Sequence, residues 1–276
     1  MLTQKIFSQN ATYQKFEVLR TNRNKRYKYN EFLVEGVRNI NEAIRHNWQI
    51  NAFLYSGGRA LSFWAQDCLR TVKTQVNYEL MNGLMEELSQ KEDSSELLAI
   101  VQMRTNEENA IPLAQNPVLA LFDRPSNKGN LGTMLRSCDA FGVDGLIITG
   151  HAVDVYDPDV ISSSMGSFFH VPFLRLSDNG DIDACINDLR FKYPNIQLVG
   201  TTAHSALPLR DVDLTAPVLF LIGNETEGLN RRFTETCNVM ATIPMSETAS
   251  ASSFNVSCAA TVMFYEAVRQ RGDGEG

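Results

Sequence analysis

No apolar run in this chain approaches the length that spans a membrane, and the start, Met1-Leu-Thr-Gln-Lys-Ile-Phe-Ser8, lacks the apolar core of a secretory signal. Those absences lead us to expect a cytoplasmic protein. Cysteine is sparse: Cys68, Cys138, Cys185, Cys237 and Cys258 are scattered, with no Cys-x-x-Cys pair. An odd, dispersed set fits reduced thiols, not a disulfide framework or a zinc site. Histidine is sparser still, and His46, His151, His170 and His204 show no ligand spacing. All four are expected to be structural or solvent-facing, and no metal is expected. There is no Gly-Lys-Ser/Thr phosphate loop, no Gly-x-Gly-x-x-Gly fingerprint, no His-Glu metal motif and no Gly-x-Ser-x-Gly elbow. P-loop, dinucleotide-fold, zincin and serine-hydrolase chemistry are thereby set aside.

What is present is an ordinary globular composition with an uneven charge. The 276 residues, 43% hydrophobic and 21% charged, suffice for one large or two ordinary domains. The net charge of −7 argues at first against a nucleic-acid partner. Residues 1–30, however, hold Lys5, Lys15, Arg20, Arg23, Lys25, Arg26 and Lys28 against Glu17 alone, a net +6, so the other 246 residues carry −13. Such asymmetry can place a phosphate-attracting arm on a body that repels polyanions. Tyr13, Phe16, Tyr27, Tyr29 and Phe32 are interleaved with these charges. Single-stranded RNA is commonly held that way, with bases stacked on rings and phosphates met by Lys or Arg. Arg20, Arg23, Lys25, Arg26 and Lys28 are therefore the candidate RNA-binding residues. A solvated basic helix face is an equal alternative from this segment alone.

Along the chain, Phe32 opens a short strand, followed by Val37, Ile40, Ala43 and Ile44 at helical spacing. Ile50 to Tyr55 reads as the next strand, helices are expected near 60–70 and 79–90, and Leu97 to Met103 as a closing strand. The polar stretch Thr105 to Pro117, with Pro112 inside it, has no sustained period. It divides an N-terminal RNA-binding module (1–105) from a C-terminal domain (117–276), with 106–116 as linker. Beyond it, strands are expected at Val118–Phe122, Gly145–Thr149, His170–Leu176, Gln197–Gly200, Val218–Ile222 and Met240–Ile243. Helices are expected from Thr133 to near Gly142, Asp157 to Met165, and about Ser253 to Arg271. The acidic tail Asp273-Gly-Glu-Gly276 is expected to fray. This alternation predicts an α/β fold with a mostly parallel sheet covered on both faces.

Three segments carry the chemistry. They are Asn127-Lys-Gly-Asn130-Leu-Gly-Thr-Met-Leu-Arg136 to Gly142, then Leu219-Phe-Leu-Ile-Gly223-Asn-Glu225-Thr-Glu-Gly228, and then Ile243-Pro-Met245 with Ser253-Phe-Asn255-Val-Ser257. Each follows an apolar run of strand length, and loops at strand carboxyl ends are where open α/β sheets bind ligands. In this order the segments resemble the TrmH (SpoU) branch of the SPOUT methyltransferases. Weaker similarity covers Ser162–Pro172 and Phe32–Gly36. The stretch from Met245 to Asn255 is longer than the usual family spacing, with Phe254 where Leu is typical.

The resemblance implies a trefoil-knotted catalytic domain that uses S-adenosylmethionine to methylate a ribose 2′-oxygen in RNA, ribosomal RNA ahead of transfer RNA. It implies Thr201, Gly223, Ile243, Met245 and Phe254 as cofactor-binding residues. Asn130, Arg136, Glu225, Ser253 and Asn255 would line the catalytic centre, Arg136 stabilising the developing alkoxide with Glu225 orienting it. Taken singly, Asn130 is as well explained as a helix cap, Arg136 as a solvated helix residue, and Ser253 as the N-cap of the last helix. Two rivals remain: a catalytically silent RNA-binding protein on the same fold, and a base methyltransferase of the wider superfamily. A homodimer through the C-terminal domain is also expected. That rests partly on the resemblance and partly on the apolar stripe Val256, Ala260, Met263, Phe264 and Ala267, with Phe141 and Phe233 as further bulk.

Overall fold

The structure, a computed structural model, describes residues 2–89, 95–203 and 206–272. His204 and the tail Asp273–Gly276 lie outside these residues. The chain forms two compact units, residues 1–104 with 154–170, and residues 105–153 with 171–276.

In the first unit the elements are β1 (Thr3–Ile6), α1 (Ala11–Thr21), α2 (Arg23–Tyr29), β2 (Glu31–Glu35), α3 (Val37–Arg45), β3 (Ile50–Ser56), α4 (Phe63–Thr71), β4 (Asn77–Leu80), α5 (Asn82–Leu88) and β5 (Leu97–Gln102). The strands make one sheet in the order β1-β4-β3-β5-β2. Its β1–β4 and β4–β3 pairs are parallel, its β3–β5 and β5–β2 pairs antiparallel. α1 is capped by Asn10, whose side chain accepts from Tyr13 N, and it turns Tyr13, Phe16 and Leu19 inward at helical spacing. Asn22 caps α2 in the same way, and Asn30 ends it in the left-handed conformation with φ 55°.

This packing corrects the stacking expectation. Tyr13, Phe16 and Phe32 are 0% exposed, so they are core and not platforms for bases. The same holds for Arg26, which is 1% exposed. Its guanidinium meets Asp154 at 2.7 Å and Asp157 at 3.2 Å and donates to the carbonyls of Leu19 and Arg20, both at 3.0 Å. Tyr27 Oη donates to the other Asp154 oxygen at 2.8 Å. Every donor in this cluster meets an acceptor, which is what a buried charge requires.

In the second unit come β6 (Val118–Asp123), α6 (Lys128–Ala140) and β7 (Gly145–Thr149); α7 (Pro158–Ser164) follows in the chain but packs in the first unit. The second unit resumes with β8 (Phe173–Leu176), α8 (Asn179–Lys192), β9 (Gln197–Thr201), β10 (Leu207–Pro208), β11 (Val218–Ile222), α9 (Arg231–Thr236), β12 (Val239–Thr242) and α10 (Val256–Gln270). The reason residues 154–170 join the first unit is chemical. They supply both carboxylates around Arg26, and Phe168 and Phe169, which cluster with Phe32 and Trp48. Trp48 Nε1 also donates to Phe169 O at 2.9 Å.

The second sheet is parallel throughout, in the order β10-β12-β9-β11-β6-β7-β8. Its central strands are buried along their whole length, as expected when helices cover both faces. Leu119, Leu121, Leu219 and Leu221 pack with Ile182, Ile186 and Leu189 of α8 and Phe233 of α9. On the other side Phe264 of α10 lies 5.8 Å from Phe220. The stripe that suggested a dimer face is spent on this core: Ala260, Phe264 and Ala267 are 0% exposed and Met263 2%. No helix among the described residues is long and apolar enough to cross a membrane.

Three helix starts differ from expectation; that near 79 is α5, which begins at Asn82 because Asn77–Leu80 form strand β4. α6 begins at Lys128, not Thr133, because Asn127 caps it by accepting from Asn130 N at 3.0 Å. α10 begins at Val256, capped by Asn255, not by Ser253.

Candidate functional site

The carboxyl ends of β9, β11 and β12 stand side by side, and the segments that leave them wall a cleft of about 830 Å³. Thr201, Gly223, Ile243, Met245 and Phe254 all line it, as do Glu225 and Ser253. Asn130, Arg136 and Asn255 are not among its lining residues. Leu209, Leu229, Ile243, Met245, Phe254 and Met263 are among its apolar wall residues. Phe254 is 43% exposed, a large ring left partly uncovered at this cleft.

Gly223 is required by its own chain. A Cβ there would stand 2.2 Å from Leu229 N and 2.3 Å from Gly228 C, both rigid backbone. The chain folds back on it through paired hydrogen bonds between Asn224 and Gly228, each 3.0 Å, and turns at Gly228 with φ +71°. Asn224 holds this turn from within, its Oδ1 accepting from Thr226 N and Glu227 N and its Nδ2 donating to Arg124 O. Arg124 ties the turn from outside, forked on Asp123 and paired with Glu227.

Glu225 reaches from this turn to the start of α6. It accepts from Ser126 N (2.9 Å), Ser126 Oγ (2.7 Å), Asn127 N (3.0 Å) and Asn130 Nδ2 (3.3 Å). Burial pushes its carboxyl upward, but the hydrogen bonds from Ser126 and Asn127 outweigh that and hold it below the ordinary carboxylate range. Glu225 is thus an anion at neutral pH, and because its folded pKa is lowered, this tie is lost only as pH falls through that lowered value. Asn130 passes the connection on: its Oδ1 accepts from Asn255 Nδ2 at 3.0 Å, and its backbone oxygen accepts from Ser257 Oγ at 2.8 Å. All three segments singled out in the sequence are therefore joined by one chain, Glu225–Asn130–Asn255. Thr261 Oγ1 links α10 to Ser137 of α6 at 2.7 Å, next to Arg136.

Arg136 itself is exposed and has neither hydrogen bond nor ion pair among the described residues. The expectation that Glu225 orients it is corrected, since Glu225 is committed to Ser126, Asn127 and Asn130. Ser253 is exposed and caps nothing. Arg124, Ser126, Asn127 and Ser257 were not nominated from the sequence. Only Asn127 carried a local signal, as an Asn three residues ahead of Asn130. Burial raises the thiols of Cys138, Cys185 and Cys237, that of Cys237 to about 11. No group of three or more His, Cys, Asp or Glu able to hold a metal ion occurs among the described residues.

Of the candidate RNA-binding residues, Arg23 and Lys28 are exposed and Lys25 half-buried. Arg20 donates to the carbonyls of Glu87 and Leu88, and Arg26 is the buried residue described above. Reversing Arg23, Lys25 and Lys28 to Glu is expected to weaken RNA binding and flatten its salt dependence, because each lost phosphate contact removes released counterions. An unchanged slope in a salt titration would assign these residues to a merely solvated face.

Residues 117–265 match the SpoU rRNA Methylase family and residues 10–99 the SpoU L30e-like domain. The 23S rRNA (uridine(2479)-2′-O)-methyltransferase of Streptomyces viridochromogenes is 43% identical over 270 residues, 98% of this chain and 93% of that protein. The structure of the SpoU methyltransferase AviRb from the same organism, in complex with the cofactor AdoMet, matches with TM-score 0.90, covering 96% of this chain and 100% of that one. The 23S rRNA (guanosine(2553)-2′-O)-methyltransferase RlmP of Bacillus subtilis is 24% identical over 241 residues, 87% of this chain and 89% of that protein.

Proposed function

This chain belongs to the SpoU rRNA methylase family, and from that premise we propose that it methylates a ribose 2′-hydroxyl of ribosomal RNA with S-adenosylmethionine. The observation that carries the reading is a cleft at the ends of β9, β11 and β12 whose wall residue Glu225 is tied to Asn130 and, through it, to Asn255.

The cleft suits the cofactor: its apolar wall can cover an adenine ring, and the turn at Gly223 to Leu229 presents backbone groups beside it. Thr201, Gly223, Ile243, Met245 and Phe254 would hold it, and it supplies an already activated methyl group. The remaining work falls to the chain. A ribose hydroxyl is a poor nucleophile until its proton is lost or shared, so the site must align it and stabilise negative charge on its oxygen. Arg136 is assigned that stabilising role, its planar guanidinium suited to an oxyanion and an adjacent phosphate together. It is not assigned as the base, because guanidinium stays protonated below pH ~12. Asn130 and Asn255 orient the ribose hydroxyl, and the Glu225 carboxylate keeps the start of α6 in place for them. Ser253, exposed in the wall of the cleft, would face the substrate. The last helix is assigned to the knotted topology of the family, and Arg23, Lys25 and Lys28 to recruitment of RNA in the cytoplasm.

Titration of the protein with S-adenosylmethionine in EDTA tests the cofactor assignment. Saturable one-site binding without added metal is expected, and no measurable binding would favour the silent RNA-binding alternative.

Protomers are assigned to pair through the outward face of α10. Val262 and Tyr265 are 39% and 53% exposed there, and Phe141 lies 6.2 Å from the Tyr265 ring. A twofold pair would cover this patch isologously. Sedimentation is expected to show twice 30.9 kDa; a fully active monomer would remove the pairing.

A further inference from the structure

The cleft at the ends of β9, β11 and β12 holds two carboxylates, Glu225 and Glu227, and no Lys or Arg among its described lining residues. Glu225 is committed, since both its oxygens accept from the start of α6 and the two residues before it. Glu227 is not. Its side chain is 66% exposed, and Oε2 alone has a partner among the described residues, the Arg124 guanidinium.

That partner is held from behind. Arg124 forks on Asp123, with Nε donating to Oδ1 and Nη2 to Oδ2, both at 3.0 Å. Asp123 is buried and also accepts from Asn230 N at 3.0 Å and Thr149 Oγ1 at 3.4 Å. Arg124 takes this place with a left-handed backbone, φ 49°, which a residue with a side chain seldom adopts. Gly150 makes room for it: a Cβ there would stand 2.7 Å from Arg124 Cγ. A strained residue kept by buried partners is a common way of fixing a functional group in position. Asp123 and Glu227 against Arg124 leave a formal charge of −1. Asp123 thus neutralises Arg124, and the charge of Glu227 stays uncompensated at the cleft wall.

We infer that Glu227 accepts the α-ammonium group of S-adenosylmethionine through the oxygen that Arg124 leaves without a partner. The inference rests on the reading of the cleft as the cofactor site. Of the parts of that molecule, the adenine is neutral and suits the apolar wall, and the α-carboxylate has no cation to meet among the described lining residues. The sulfonium is charged but has no N–H to donate. The ammonium has both a positive charge and N–H donors, which is the complement of an open carboxylate oxygen. Glu225 cannot take the part without giving up its hold on α6 and Asn130. Arg124 is then a positioning residue, keeping one Glu227 oxygen and leaving the other for the ligand.

Calorimetric titration of the full chain with S-adenosylhomocysteine and with its desamino analogue tests this. The two compounds differ only in the α-ammonium, and as thioethers neither carries the sulfonium charge. Wild type is expected to bind the desamino compound about tenfold more weakly, the lower end for a charge-assisted hydrogen bond because the site is exposed. Glu227→Ala should lower affinity for S-adenosylhomocysteine to that of the desamino compound, whose own affinity stays within a few-fold. Glu227→Gln keeps an acceptor for Arg124 without the charge and should fall between. Equal affinity of wild type for the two compounds, or discrimination that survives in Glu227→Ala, would overturn the inference. So would a Glu227→Ala variant that loses affinity for both alike, the result of a purely structural tie to Arg124. Failure of wild type to bind either S-adenosylmethionine or S-adenosylhomocysteine would refute the cofactor reading itself, whereas binding without ammonium discrimination refutes the Glu227 assignment alone.

Discussion

Arg136→Ala is expected to slow single-turnover methyl transfer by roughly 10²–10³, the usual cost of deleting one preorganised electrostatic stabiliser. Cofactor affinity should stay within a few-fold, because Arg136 is not among the residues lining the cofactor cleft. The geometry makes this a clean substitution. Arg136 is exposed and makes no hydrogen bond or ion pair among the described residues, so removing it orphans no neighbour. Thermal stability should move little for the same reason. Arg136→Lys keeps the charge but loses the fork, and is expected to recover only part of the rate. Near-normal single-turnover rates for Arg136→Ala on saturating RNA would remove the assigned role. A large fall in stability would show instead that Arg136 supports the fold.

Arg26→Ala is expected to act on stability. Removing the guanidinium leaves the Asp154 and Asp157 side chains, 4% and 12% exposed, without their counter-charge. Breaking a buried pair from one side typically costs about 3–5 kcal/mol. Denaturant unfolding should therefore show a large drop for the first unit, whereas cofactor binding by the second unit should persist. Replacing Arg26, Asp154 and Asp157 together by apolar residues should recover most of the loss, since an apolar substitute for a whole buried ion cluster is often neutral. A single variant with wild-type stability but weakened RNA binding would restore Arg26 to the phosphate-binding arm, from which the structure removes it.

Arg26 also shows where a sequence stops being legible. Within Arg23-Asn-Lys-Arg-Tyr-Lys28 it is one of four basic residues with nothing local to distinguish it. Its partners lie 128 and 131 positions away, and only the fold brings them in. The aromatics nearby were legible in principle: Tyr13, Phe16 and Leu19 keep helical spacing, which marks a core face before it marks a stacking platform. The three functional segments survived the passage to structure because each is local in sequence and follows a strand. What failed within them was the choice among equivalent caps. Asn127 and Asn130 can each cap α6, as Ser253 and Asn255 can each cap α10, and the decision came from distant groups. Glu225 fixes the first by binding Ser126 and Asn127, and Asn130 fixes the second by accepting from Asn255 and Ser257. The same hydrogen bonds take Glu225 away from Arg136, the pairing the sequence had suggested. The stripe on α10 was correctly apolar, but its period could not say which surface it meets; Phe264 on Phe220 answers that.

The central claim is methyl transfer to a ribose oxygen, and one measurement meets it directly. Purified protein is incubated with S-adenosylmethionine carrying a labelled methyl group and unmodified ribosomal RNA, and the product is hydrolysed in alkali. A methylated 2′-oxygen cannot attack the adjacent phosphate, so the account predicts label in a dinucleotide that resists cleavage, at one position and accumulating roughly 10²–10³ more slowly with Arg136→Ala. Label recovered only in ordinary mononucleotides would place the methyl group on a base and contradict it.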